Sequence, residues 1–475
     1  MTAPFFYYLL LDYKPSSGGL KLTGCLLGLA LIALVRCNPA SATGFSQINF
    51  QRSVILTVVL KGSIKMPGNS LLTIDMITAE AVRLFKNSNL FIQNMDTQYD
   101  PAFAVDGAKI GSTLRIRLPN DYIVTEGPAM QLQNTTEQYT TLTVDTQYNV
   151  AVPFTTAERT MSLDNYSEII LAPMINNLAG KVAQNVMNAS ETGACNFVSN
   201  VDGNGNIISP DSEQFLQANA ILDLQSSDPM TRRVVDDPIT DARMTKSLQG
   251  LLNPATELSA QYRTGMMKAG LGYEKWFRDQ TVIKHISGTY NSANAPSTVD
   301  GADQTGQTID ISATNGTLKQ GDIVTFEGVY EVNRVTKANQ GTLRQFVILE
   351  DVAQGGTQVS IYPALTPAVD GQDVQYQTVT VSPDNGADML MVTKSGEIYR
   401  KNLAYVQKAI TLATADLVMP TKAVQEAARA EYDGISMRIL TDYLPATDQL
   451  ATRIDVLFGK KFIRPEWLCV VADRI

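Results

Sequence analysis

Histidine is nearly absent from this chain of 475 residues: it occurs once, at His285. A site built from several imidazoles is therefore excluded, and any Ser-His-Asp or Cys-His chemistry would have to run through that single ring. Cysteine is equally sparse. The four stand at positions 25, 37, 195 and 469, with no Cys-x-x-Cys pair, so neither a zinc module nor a disulfide scaffold is indicated and a reducing compartment is the default. Basic charge is in deficit. The 38 Lys and Arg against 47 Asp and Glu leave a net charge of −9, which argues against a protein that grips nucleic acid through its phosphates. The balance suits a surface that lies beside nucleic acid without sticking to it. Long apolar runs are missing too. The run Gly24 to Val35 spans twelve residues, short of the roughly 20 that a membrane-crossing helix needs.

What is present is core-forming material. Hydrophobic residues make up 44% of the chain and charged residues 18%, so a sizeable buried core is expected, and the length allows about three domains. Residues 1–65 differ from the rest. Lys14, Lys21, the apolar run and Ala40-Ser41-Ala42 fit an export signal, and Leu22-Thr23-Gly24-Cys25 resembles a lipoprotein box whose cysteine precedes the longer apolar run. The expectation adopted is a dispensable extension with Met66 as the start. An export signal or a structural arm is the alternative, and the export signal leads to a secreted or lipid-anchored β-rich surface protein.

The stretch Tyr166 to Met187 places Leu171, Met174, Ile175, Leu178, Val182 and Val186 at helical spacing, so an amphipathic helix is predicted, with Asp164 as N-cap and a kink or restart at Pro173. A first helix is predicted over Ser70 to Phe85 and another over Phe215 to Leu224. Alternation over Thr113 to Leu118 and over Thr141 to Val152 predicts a two-stranded arm, with Arg115, Arg117 and Asp145 as candidates for polar contacts to a neighbour. Asp202, Asn204, Asn206 and Glu213 match four ligand positions of a calcium loop. Ile207 stands where that loop requires Gly, so a glycine-rich turn is preferred. Asp236, Asp237 and Asp241 read as a solvated polar loop, the alternative being acids of a hydrolase. His285 falls in a strand-like piece, Thr281 to Ile286, as a structural or surface residue.

From Asp300 to Ser382 the chain is rich in Thr, Val, Gly and Gln, with strand-like pieces at Thr308 to Ser312, Ile323 to Phe326, Arg344 to Leu349, Gln358 to Tyr362 and Val374 to Val381. This spacing predicts a small β-barrel or sandwich inserted in a larger domain. Helix is predicted again over Leu403 to Leu412. Closing strands are predicted around Ile435, Met437 and Ile439, then Ile454, Val456 and Phe458, then Trp467 to Val471, with Gly459 and Pro465 as punctuation.

Three blocks carry a resemblance. The first runs from Thr317-Leu318-Lys319-Gln320-Gly321-Asp322 to Asn333, with Leu343-Arg344-Gln345-Phe346-Val347. The second is Asn402-Leu403-Ala404-Tyr405 running on to Leu417-Val418-Met419-Pro420. The third is Gly434-Ile435-Ser436-Met437-Arg438 with Arg453 to Gly459 and Arg464-Pro465-Glu466. Together they resemble the major capsid proteins of short-tailed phages of the inserted-domain type, covering Met66 onward. A departure stands at Val406, where members of that family often carry histidine. The resemblance implies an α+β fold, the Hong Kong phage capsid fold with an inserted β-barrel. It implies an N-terminal arm over 66–105, an extended β-hairpin loop over 106–156, and a peripheral domain with spine helix and first part of an axial domain over 157–306. The inserted barrel would occupy 307–381, and the rest of the axial domain with the closing strands 382–475. The implied function is an icosahedral shell around phage double-stranded DNA, made of hexamers and pentamers of this chain. A scaffolding protein and a portal are the implied partners. Packaged DNA would be enclosed without sequence-specific binding and no membrane would be involved. No catalytic residue, cofactor or metal is implied.

Overall fold

A computed structural model describes residues 74–97, 113–118, 120–124, 127–128, 132, 137–155, 171–247, 270–369, 374–420 and 424–475. The expectations for residues 1–65, for Asp164 as an N-cap and for Ser70 as a helix start lie outside the described residues.

Five helices are described: α1 (Ile74–Ser88), α2 (Leu90–Gln93), α3 (Ala172–Gly193), α4 (Ser212–Leu224) and α5 (Pro238–Ser247). The longest, α3, buries Met174, Ile175, Leu178, Val182 and Val186, the predicted stripe. Pro173 stands in its first turn, where a missing N–H costs nothing, so it starts the helix and does not kink it. Helix α4 is fixed by a capping box. Asp211 accepts from the Glu213 amide at 3.0 Å and the Gln214 side chain accepts from the Asp211 amide at 3.0 Å.

Two sheets share a core with α1 and α3. In one, Gln449–Phe462 is central. It pairs along one edge with Thr146–Thr155 and along the other with Ile435–Leu444 and, further on, Ile410–Thr414; Ile435–Leu444 pairs in turn with Glu426–Tyr432. The other runs Asn196–Val198, Leu468–Arg474, Ile398–Val406, Arg232–Asp236, Lys275–Arg278, with Lys284–Ile286 also on Ile398–Val406. Ile398–Val406 is buried from its second residue onward. Leu403 to Leu412, predicted as helix, is therefore corrected. It is strand up to Val406, a single 3-10 turn, then strand Ile410–Thr414. A strand covered on both faces reads as a continuous apolar run, which periodicity cannot tell from a buried helix.

The predicted arm is corrected in its pairing. Thr113–Arg117 pairs antiparallel with Tyr139–Thr143, but Thr146–Thr155 leaves this ribbon and joins Gln449–Phe462. The expected faces survive the break. Leu142 and Val144 are buried, and Thr146, Tyr148, Val150 and Val152 half-buried, while Thr143, Asp145, Gln147, Asn149 and Ala151 are exposed. Ile116, Leu142 and Val144 pack on Ala413 and Ala415. Gly459, expected as punctuation, lies inside its strand, where a Cβ would sit 2.3 Å from the Thr143 carbonyl oxygen.

Between Tyr290 and Met391 lies a separate sheet in the order Ser297–Thr298, Asp388–Met391, Ile323–Phe326, Phe346–Ile348, Gln358–Leu365, Gly306–Asp310. A bridge between Val299 and Ile311, with Asp300 N–H on Asp310 O at 3.0 Å and Ser312 N–H on Thr298 O at 2.7 Å, brings the last strand back to the first. Its apolar core, including Tyr290, Phe326, Phe346 and Ile361, is distinct from that of the body. Val374 to Val381, predicted as strand, contributes one isolated bridge, Val379 to Glu331. The chain's entry and exit are clasped: Ser287 N–H donates to Glu397 O at 2.9 Å and Gly396 N–H to Gly288 O at 2.8 Å.

Candidate functional site

The charged residues that sequence reading left unassigned converge where this inserted sheet meets the body. At its stalk, His285 is 2% exposed on the strand Lys284–Ile286. Its Nδ1 lies 2.8 Å from Glu191 Oε1 in the last turn of α3, and its Nε2 lies 2.8 Å from Asp322 Oδ1. Asp322 is fully buried, and its other oxygen accepts from the Gly288 amide at 3.0 Å and the Lys319 amide at 2.7 Å. Lys401, on the exit strand, donates to Gly321 O at 2.7 Å, and burial pushes its ammonium down to about 8 against the pull of Glu191 and Asp322. Gly321 has φ +90° and faces Glu191 Cγ at 2.5 Å from where a Cβ would stand, so the turn needs glycine for both reasons. The histidine is structural, one of the two roles expected for it.

On the far side a second polar group ties the sheet down. Arg344, 5% exposed, pairs with Glu331, which also accepts from Gln225. Gln345 makes a two-fold contact with the Phe197 backbone, accepting at 2.6 Å and donating at 3.0 Å. Arg334 spans two regions at once. Its Nε donates to Asp121 at 2.8 Å and its Nη1 to Glu466 at 2.7 Å, so it links the chain beyond the ribbon to the closing strands. Around them is a cavity of about 190 Å³ lined by Leu118, Asp121, Arg334, Arg344, Tyr362 and Glu466, among others. Burial pushes the neighbouring Cys195 thiol up to about 11, so it is an inert core group. None of these partnerships has a sequence signal, because the partners are far apart along the chain.

The carboxylates expected in a solvated loop are corrected. Asp236 is 1% and Asp241 2% exposed, because Arg232–Asp236 is an inner strand and α5 folds over its end. Burial, then the charge of Asp241, pushes the Asp236 carboxyl well above the usual carboxylate range. Asp237 pairs with Arg400 at 3.2 Å, and Asp473 takes Thr240 at 2.7 Å and Arg243 at 2.8 Å, so this network closes the C-terminal strand onto α5. Asp202 accepts from the amides of Asn204 and Asn206 at 2.9 Å each, as the preferred glycine-rich turn requires. Among the described residues no group of three or more His, Cys, Asp or Glu is placed to hold a metal, and no helix is long and apolar enough to cross a membrane.

The ribbon charges face outward. Arg115 lies 4.0 Å over the Tyr139 ring, Arg117 stands 3.8 Å from Glu137 with both side chains exposed, and Asp145 accepts from the Thr146 hydroxyl at 2.9 Å.

The family model described as "P22 coat protein - gene protein 5" matches residues 66–471. No match to a curated protein is found. Among solved structures the chain is similar to one from Mycobacterium phage Che8, with 10% sequence identity over 80% of this chain and 90% of that one and a TM-score of 0.39. It is similar to the capsid of the cyanophage P-SCSP1u at 9% identity over 76% and 84%, with a TM-score of 0.40. It is also similar to the CUS-3 coat protein I-domain at 25% identity, over 22% of this chain and 99% of that one, with a TM-score of 0.18. On the strength of the family match, this chain belongs to the P22 coat protein family and is a phage major capsid protein.

Proposed function

We propose that the subunit tiles an icosahedral shell as hexamers and pentamers, assembled in the host cytoplasm with a scaffolding protein and a portal and filled with double-stranded DNA. The family match over 66–471 carries this reading. The domain plan follows from it: an N-terminal arm at 66–105, an intersubunit loop at 106–156, α3 as spine of a peripheral domain, and axial and closing parts on either side of the insert. The insert takes in 307–381 together with the flanking strands Ser297–Thr298 and Asp388–Met391. Shell building is association and not turnover. Many weak contacts between copies add, since each contact raises the effective concentration of the next. The outward Arg115 and Arg117 supply charge to a neighbour's surface, and the net charge of −9 lets packaged DNA slide past the wall.

The test is co-expression of the chain with its scaffolding protein, followed by negative-stain imaging. Closed shells are expected. Arg115→Glu with Arg117→Glu lowers particle yield several-fold while the circular dichroism of the subunit is unchanged. Normal yield removes the ribbon's role, and a subunit that stays monomeric with its scaffold present removes the reading.

A further inference from the structure

Three arginines line the cavity between the inserted sheet and the closing strands: Arg334 and Arg344 from the insert and Arg464 from the turn before Leu468–Arg474. The acids around them are shared unevenly. Arg334 takes Asp121 at 2.8 Å and Glu466 at 2.7 Å, and Arg344 takes Glu331. Arg464 is left over. It is 8% exposed, yet its guanidinium makes no hydrogen bond among the described residues, and Glu466 Oε1 stands 3.9 Å from it, outside hydrogen-bond reach. Its Cζ lies 4.3 Å over the Trp467 ring, so one face is covered and the N–H groups are left to the cavity. Burial, and next the charge of Arg334, lowers its pKa from the ordinary arginine value, as befits a cation short of negative charge, although a guanidinium stays charged even so. Tyr362 is on the same lining, and burial keeps its hydroxyl protonated as a neutral donor. The cavity, about 190 Å³, has room for several waters or one small ion.

We propose that this cavity is a binding site for a small free oxyanion, a phosphate or a carboxylate, held by the N–H groups of Arg464. A guanidinium presents its donors as a planar fork that matches two oxygens of either group, and a buried cation without a partner gains most from such a ligand. A cation has no comparable place, because Asp121 and Glu466 are already taken up by Arg334. Those same acids favour a singly charged ion over a doubly charged one. Arg464 belongs to the closing strands and Tyr362 to the inserted sheet, so a bound ion joins the two parts and stabilises their junction. The site lies within one subunit, so its failure would leave the shell-building reading untouched.

The chain carries its own reporter, because it has two tryptophans and one of them, Trp467, lies against Arg464. The full-length subunit is titrated with sodium phosphate and, separately, with sodium acetate, with sodium chloride holding the ionic strength constant. A saturable change in tryptophan emission is expected, half complete at about 1 mM or below, with the same dissociation constant by calorimetry and an unfolding temperature that rises with the ligand. Saturation by phosphate alone assigns the site to tetrahedral ions, by acetate alone to carboxylates, and by both to either class. Arg464→Gln weakens binding about tenfold or more, while its unfolding temperature without the ion stays near that of the parent, since no hydrogen bond is lost. The inference is overturned if neither ion binds beyond the chloride control, if binding leaves the emission unchanged, or if Arg464→Gln binds as well as the parent.

Discussion

The ribbon Thr113–Arg117 with Tyr139–Thr143 and the inserted sheet are fastened to the body differently, the first by apolar contact and the second by apolar contact together with buried charge. The ribbon is glued by grease: Ile116, Leu142 and Val144 on Ala413 and Ala415, with its charges turned outward. The inserted sheet has a core of its own but also lends Ile323 and Val347 to the core of the body, and it is fastened besides by charge and hydrogen bonds, at His285 on one side and at Arg334, Arg344 and Gln345 on the other. Apolar contact is non-directional and tolerates sliding. Buried hydrogen-bonded charge is directional and fails sharply when one partner leaves. The ribbon's attachment is thus the less directional of the two, and buried charge adds direction to the apolar attachment of the inserted sheet.

The comparison breaks most severely inside the insert. Phe346→Ala removes a fully buried ring from a core that borrows nothing from the body, at a cost of about 3–5 kcal/mol. Hydrogen exchange is expected to rise across 297–391 while α3 stays protected; equal loss in both regions would mean one shared core. Arg344→Met comes next, at about 3–4 kcal/mol, because Glu331 is left buried without its cation. Adding Glu331→Gln is expected to recover more than half of that cost in denaturant unfolding, and additive costs would show that the pair is not a unit. The smallest of the three is Leu142→Ala, at about 2–3 kcal/mol, since the facing alanines leave room to settle. Local protection of 113–117 falls with no change in the insert.

Much of this arrangement was legible in the sequence wherever one face of an element meets water. The stripe on α3 and the alternation from Leu142 to Val152 are of that kind, and both placed the buried face correctly. The break after Val144 was invisible because alternation runs through it unchanged while the partner strand switches. Leu403 to Leu412 was misread because burial on both faces erases the period. The polar fastenings were illegible for a different reason. His285 finds Asp322 at 37 positions' distance and Glu191 at 94, and nothing local in the sequence distinguishes a buried acid from a solvated one. Asp236 shows the same blindness in a helix-capped strand.

The bridge from Val299 to Ile311 has a further consequence. Strands with unpaired margins recruit strands from other molecules, and crowding many copies side by side in a curved wall makes such recruitment a hazard. By bringing its first strand against its last, the insert leaves little open backbone at that margin for another strand to copy.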